Sequence, residues 1–274
     1  MNFTKNKVDD NLSILILSCQ NFSDLWSNNL SLLEKNWAKH PSVFLSSDGE
    51  GIFDINNFEG LILFADEMSN RIINALNLIK SDYVFLTFDD YYLKSKVKTE
   101  CIDSVINLMV SRHYDYCRFF KNKKVAGKKI GILKYKKLPL EKAYEANFYP
   151  SIWKRDSLLK VLKDGEDIWK TEVRLTRRMR ENNLSGIAIY DRSIFPFIDV
   201  VRKGKYLKSA FRFLKKNNLF ISNRKVRSFK EDFSLLIQTL ASDYLPGKIR
   251  EYVKNRMRKK GRVFYSDYEY DDNN

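Results

Sequence analysis

Apolar residues along this chain fall into short unbroken runs and longer helical stripes. The runs are LSILILSC (12–19), SVFLSSD (42–48), LILF (61–64), YVFLTF (83–88), DYCRFF (115–120) and GIAIYD (186–191), and each predicts a strand. IGILKY (130–135) reads as one more. The stripes lie between them. Phe22, Trp26, Leu30, Leu33 and Trp37 share one helical face, as do Ile72, Leu76 and Ile79 in MSNRIINALNLIKS, with Ser69 as its expected cap. A helix is expected over 99–112, capped by Thr99, and two more over 153–183, parted at Gly165.

Strands that are apolar at every position, not at alternate ones, are buried on both faces. That is the signature of a mostly parallel sheet covered by helices. The expected fold is therefore α/β, a mixed and mostly parallel sheet flanked by helices. The segments 49–60 and 121–150 read as irregular loops that would carry specificity. After Asp199 the pattern changes to amphipathic helix. YLKSAFRFLKK gathers Leu207, Ala210, Phe211 and Leu214. FKEDFSLLIQTLA gathers Phe229, Phe233, Leu236, Ile237 and Leu240. A last helix, opened by Pro246, gathers Ile249, Tyr252, Val253 and Met257.

Charge sharpens this division. The chain of 274 residues carries a net charge of +15, and residues 201–262 hold 19 Lys/Arg against 4 Asp/Glu. The expected organisation is a front domain over 1–200, a basic helical region over 201–262 and an acidic, flexible tail over 263–274. A basic amphipathic region suits an anionic membrane surface, or equally an ordinary helical subdomain with solvated lysines. Nucleic acid is the rival partner, but no reader motif accompanies the basic residues, so none is expected. Three scattered cysteines and two histidines argue against a disulfide scaffold, a zinc site or a histidine triad. The polar start shows no signal peptide, and no apolar run reaches membrane-span length, so a cytoplasmic protein is expected.

The candidate chemistry sits at the end of YVFLTF. Asp89 and Asp90 follow that strand, and open parallel sheets bind ligands at the carboxyl ends of their strands. Two adjacent acids repel unless a cation joins them, and Mg2+ or Mn2+ prefers carboxylate and phosphate oxygens. The plain alternative is a pair of turn residues. A phosphate-cradling glycine loop is absent, and Gly49-Glu50-Gly51 does not make a dinucleotide fingerprint.

Taken in order, ILILSCQNFSDLW, SNRIINALNLIKSDYVFLTFDDYYL, YCRFF and FYPSIWKRDSLLKVLKDGEDIWKTE resemble the bacterial GT-A glycosyltransferases of capsule and lipopolysaccharide synthesis, over roughly residues 12–200. The resemblance implies the GT-A form of the Rossmann-like sheet and a nucleotide-sugar donor such as a UDP-sugar. Asn21 and Asp24 would meet the nucleotide base, and Arg71 the diphosphate or ribose. Asp89 and Asp90 would hold the metal, Mn2+ or Mg2+, in the place of a DXD motif whose first acid is here Thr87. The GEDIWKTE stretch would face a glycan or lipid-linked acceptor, at the inner face of the bacterial cytoplasmic membrane. Lys170 stands there where an acid is expected.

Inverting transfer needs one carboxylate to take the acceptor proton. Glu166, Asp167 and Glu172 are the candidates. Glu172 is preferred for its fixed place inside a helix; Asp167 comes next and doubles as an N-cap. Trp153 and Trp169 could form a sugar platform or be core residues, and Arg118 could meet substrate or a structural partner. A GT-A-like chain that has lost activity and serves in assembly is the remaining alternative.

Overall fold

The computed structural model describes residues 11–49, 60–63, 66–119, 127–141, 144–233, 247–259 and 261. These divide into two compact units, 1–198 and 199–274. The first unit begins with β1 (Leu12–Leu17), a 3-10 turn (Gln20–Leu25), α1 (Trp26–Asn36), β2 (Ser42–Ser47), β3 (Gly60–Leu63) and α2 (Met68–Leu78). It continues through β4 (Tyr83–Phe88), β5 (Tyr91–Leu93), α3 (Thr99–Arg112), β6 (Tyr116–Phe119), β7 (Lys128–Ile130) and β8 (Leu133–Lys137). It ends with β9 (Ser151–Lys154), α4 (Arg155–Val161), α5 (Ile168–Glu181), β10 (Gly186–Ile189) and β11 (Phe197–Asp199), whose last residue opens the second unit.

Nine strands form one sheet in the order β3-β2-β1-β4-β9-β6-β10-β8-β7. The pairs β1–β2, β2–β3, β1–β4 and β6–β10 are parallel, while β9 and β8 run against their neighbours. The expected mixed, mostly parallel sheet flanked by helices is present. Strand alternation feeds two cores. Ile14, Ile16 and Phe85 join Trp37, Ile102, Val105 and Met109 on the α1/α3 face. Leu15, Leu17, Val84 and Leu86 join Ile72, Leu76, Leu158 and Leu175 on the α2/α4/α5 face. β1 feeds one core or the other from successive positions, which is why it has no exposed residue.

Several local expectations are corrected. IGILKY is not one strand. Gly131, at φ +54, turns the chain between β7 and β8, a backbone state that glycine adopts without steric cost. Trp153 does not open a helix but lies in β9, between β4 and β6. Ser69 and Thr99 are not caps; Glu67 and Lys98 occupy those positions, each without a side-chain capping bond. The Ser69 hydroxyl instead accepts the Glu166 N–H at 2.9 Å.

The second unit contains the short hairpin β12 (Val201–Arg202) and β13 (Lys205–Tyr206), then α6 (Lys208–Lys216) and α7 (Gly247–Arg258). In α6 the expected stripe buries Ala210 and Leu214. In α7 the stripe of Ile249, Tyr252, Val253 and Met257 is 36–67% exposed. Leu236, Ile237, Leu240, Pro246 and the acidic tail lie outside the described residues. No helix among the described residues is long and apolar enough to cross a membrane.

Phe85 is fully buried, with ring centroids 4.5 Å from Phe195 and 5.7 Å from both Trp37 and Phe119. Truncation there removes the centre of an aromatic cluster. Phe85→Ala is expected to cost about 3–5 kcal/mol in urea denaturation.

Candidate functional site

The carboxyl ends of β1 and β4 are locked together by a small polar network. Ser18 donates its hydroxyl to Asp89 Oδ2 and accepts from Trp26 Nε1 at 2.7 Å. Asn29 Nδ2 donates to the Asp89 carbonyl at 2.9 Å and to the Tyr91 carbonyl at 3.3 Å. The Asp89 N–H continues the β1 ladder to the Leu17 carbonyl at 3.2 Å. Asp89 is buried, and a buried carboxylate needs such partners. Asp90 is half-buried, the more accessible of the two. Tyr92 is buried and donates to the Leu25 carbonyl at 2.9 Å, while Tyr91 stays half-buried.

Beside this lock lies an open polar cleft of about 590 Å3, lined by Gln20, Asn21, Asp48, Asp66 and Glu67. It sits where β1 and β2 end and α2 begins. The Gln20 N–H donates to Asp48 Oδ1 at 2.6 Å, tying the two strand ends. Arg71, buried in the first turns of α2, donates from Nη1 to the Ser18 carbonyl at 2.7 Å, and its Nε has no hydrogen-bond partner. Burial, then the Asp89 and Asp48 carboxylates, push the Cys19 thiol up. The Asn70 amide and the Glu67 N–H hold the exposed Asp66 carboxyl below its usual range.

A second junction joins α2 to the start of α5. Ser69 exchanges two bonds with the Glu166 backbone, and the Gly165 N–H donates to Asn70 Oδ1 at 2.7 Å. The Glu166 side chain turns inward, 2.6 Å from Arg174 and 2.5 Å from Arg178. Burial alone would raise its carboxyl, but the Arg178 and Arg174 guanidiniums outweigh this and hold it low. Glu166 is thus an ion-paired anchor. Asp167 caps α5 through Oδ1, accepting the Trp169 and Lys170 N–H groups at 2.8 and 2.9 Å.

The remaining expected residues separate. Asn21 lines the cleft, and Asp24 sits half-buried further along the same 3-10 turn. Trp153 is fully buried with its ring 4.3 Å from Tyr116, so it is core and not a sugar platform. Trp169 is 54% exposed on α5. Arg118 is buried and pairs with Glu145 at 3.1 Å and the Tyr144 carbonyl at 2.9 Å. Glu172 Oε1 accepts the Phe148 N–H at 3.1 Å; burial pushes its carboxyl up and that N–H partly offsets it. Among the described residues no three His, Cys, Asp or Glu side chains gather as a metal site. Sequence reading missed Asp48, Gln20, Asp66 and Glu67. Asp48 ends β2 as Asp89 follows β4, so the strand-end argument reaches it; the others are placed only by tertiary structure.

No protein-family model and no curated protein matches the chain. Solved structures similar to it include S. aureus TarS 1–349 in complex with UDP-GlcNAc, at 12% identity and TM-score 0.46, over 88% of this chain and 69% of that one. A longer S. aureus TarS structure matches at 12% identity and TM-score 0.44, over 67% of this chain and 36% of its own length. A cytidylyltransferase from Leptospira borgpetersenii matches at 12% identity and TM-score 0.45, over 80% and 99%. None of these likenesses reaches a TM-score of 0.5, and the functional reading rests on the chain's own residues.

Glu166 gives the junction a pH signature. Its carboxyl is depressed in the folded protein, so the stabilisation is present above the ordinary glutamate range and is lost as pH falls through the lowered value. Glu166→Gln leaves two buried guanidiniums with a neutral partner. At neutral pH the expected loss is about 3–5 kcal/mol by chemical denaturation. The variant should also show a flatter decline in stability in acid than the parent.

Proposed function

We propose that the chain is a GT-A-type glycosyltransferase that moves a sugar from a nucleoside-diphosphate sugar to a surface glycan or lipid-linked acceptor. The observation that carries this reading is the acid pair fixed at the carboxyl end of β4, one carboxylate buried and locked to Ser18 and the other half-buried, at the same sheet edge as the open polar cleft. A nucleoside offers hydroxyls and ring N–H groups, which the carboxylates and amides lining that cleft can accept and donate to. Arg71 supplies a buried positive charge on the first turns of α2, bonded to the Ser18 carbonyl at the end of β1 and suited to the diphosphate or ribose.

A divalent cation fits this arrangement only with substrate oxygens completing its shell, since the described residues bring no third acid to the pair. Asp90 would hold Mn2+ or Mg2+ directly, with Asp89 braced behind it. An ion held there would supply positive charge to neutralise the departing diphosphate. For the acceptor proton the geometry favours Asp167 over Glu172. Asp167 belongs to the 165–167 loop, which is bonded to Ser69 and Asn70 beside the cleft acids. Glu172 turns to Phe148 instead. In the transfer, the acceptor oxygen bonds to the anomeric carbon as the bond from that carbon to the diphosphate oxygen breaks, and the acceptor proton passes to Asp167.

A UDP-, GDP-, dTDP- and CMP-sugar panel, with and without Mn2+, tests the reading by thermal shift and donor hydrolysis. At least one donor should stabilise the parent. Asp90→Ala should remove the metal-dependent part of that shift. Asp167→Asn should keep donor binding and lower transfer by about 10²-fold or more, the range for losing a general base. No response to any donor, together with salt-sensitive DNA binding, would favour the nucleic-acid alternative.

The second unit supports a place on the cytoplasmic face of an anionic membrane. Exposed Ile249, Tyr252, Val253 and Met257 share α7 with Lys254, Arg256 and Arg258. Each basic residue near such a surface contributes about 1 kcal/mol. The chain is expected to sediment with phosphatidylglycerol-containing vesicles, to release them in high salt, and to ignore pure phosphatidylcholine.

A further inference from the structure

The loop 144–149, YEANFY, enters β9 at the same sheet edge that bears Asp90. Strand β9 runs against β4, with Leu86 opposite Ser151, so the residues before β9 arrive where β4 ends. This loop is held with unusual completeness. Four consecutive backbone N–H groups each donate to a side chain. Ala146 N–H reaches Thr176 Oγ1 at 2.9 Å and Asn147 N–H reaches Tyr116 Oη at 3.2 Å. Phe148 N–H reaches Glu172 Oε1 at 3.1 Å and Tyr149 N–H reaches Asn147 Oδ1 at 3.2 Å. Arg118 grips the other end through the Tyr144 carbonyl and Glu145. Tyr144 itself has φ +64, a left-handed state that costs free energy for a residue with a side chain.

What this scaffold presents is Tyr149. Its ring lies 5.4 Å from Tyr91, and Tyr91 lies 6.2 Å from Phe88. All three are half-buried, and they bracket Asp89 and Asp90 in the chain or across the sheet. Tyr91 and Tyr149 each rest edge-on against Phe197, at 5.2 and 6.0 Å, and stay only partly covered. The aromatic surface they keep beside an acid pair suits the apolar C–H face of a pyranose ring next to its hydroxyls. Strain and saturated hydrogen bonding preset the geometry, so ordering is not charged against binding.

We propose that Tyr149 and Tyr91 form the stacking platform for the acceptor's terminal sugar ring, with Glu172 and Arg118 as positioning residues that fix the loop. The proposal deepens the transferase reading and rests on it for the word acceptor. It gives Glu172 a task other than proton removal. A carboxylate that accepts a backbone N–H can be replaced in that task by an amide oxygen; a base cannot.

The probes are octyl glucoside, octyl galactoside and octyl N-acetylglucosaminide below their micelle concentrations. Binding is read by saturation-transfer NMR on the sugar-ring protons, with the UDP-sugar thermal shift recorded on the same samples. The parent should bind at least one glycoside. Tyr149→Ala should bind it about tenfold more weakly, the loss of one stacking face, while Tyr149→Phe binds as the parent does. Glu172→Ala should weaken glycoside binding, and Glu172→Gln should restore both binding and transfer. The donor shift should be the same in all four variants. Unchanged glycoside binding by Tyr149→Ala would overturn the platform, and loss of transfer in Glu172→Gln with binding intact would overturn the positioning role of Glu172. If a donor binds and the parent ignores every glycoside, the platform fails and the transferase reading stands. If glycosides bind through Tyr149 and no donor is recognised, the platform stands and the transferase reading fails.

Discussion

A buried carboxylate must be surrounded by donors, and that constraint organises the front unit. Asp89 meets it with the Ser18 hydroxyl, which is itself oriented by the Trp26 indole N–H. An ionised carboxylate can only accept, so the single Ser18 proton points to Asp89 while a lone pair of the same oxygen takes the Trp26 N–H. Asn29 then clamps the backbone on both sides of Asp90. The ends of β1 and β4, the first turn of α1 and the turn carrying Asp90 therefore form one rigid corner. Arg71 ties α2 to the same corner through the Ser18 carbonyl.

The corner is matched by a second fixed point. Glu166, held by Arg174 and Arg178, anchors the 165–167 loop, while its backbone bonds Ser69. A buried ion pair of this kind is weak evidence for stability relative to an apolar replacement, but removing one partner is costly. Its structural effect is directional. It sets the amino end of α5 against the amino end of α2, so Asp167 and the cleft acids Asp66 and Glu67 belong to one frame.

The strands were readable because their apolar runs are unbroken, a direct consequence of burial between two helical layers. β1 and β4 show this most plainly, each feeding alternate residues to two cores. The acid pair was readable for a related reason, since a strand end in a parallel sheet is a place and not just a composition. What escaped was anything decided by distant partners. β9 has four residues, too few to declare a period, and its Trp153 fitted a helical stripe equally well. Ser69 has the chemistry of a cap, but Glu166 claims its hydroxyl across 97 positions of sequence. Glu172 looked like a site residue for its fixed place in a helix and Arg118 for its strand end; in the fold both hold the 144–149 loop, Glu172 through the Phe148 N–H and Arg118 through the Tyr144 carbonyl and the Glu145 carboxylate.

The reversal of β9 has a consequence for how such a molecule could diversify. In an all-parallel sheet every loop at the ligand edge leaves a strand, so each is followed by a helix that must pack below. A reversed strand delivers a loop that arrives instead, and its upstream neighbour is the peripheral β7–β8 hairpin and not a core helix. The wall beside Asp90 and the cleft between β1 and β2 therefore come from different parts of the chain but share one buttress, α5, which holds the first through Thr176 and Glu172 and the second through the 165–167 loop at its amino end. A substitution that tilts this one helix reaches both sides at once, so the two walls of the site vary together and not separately.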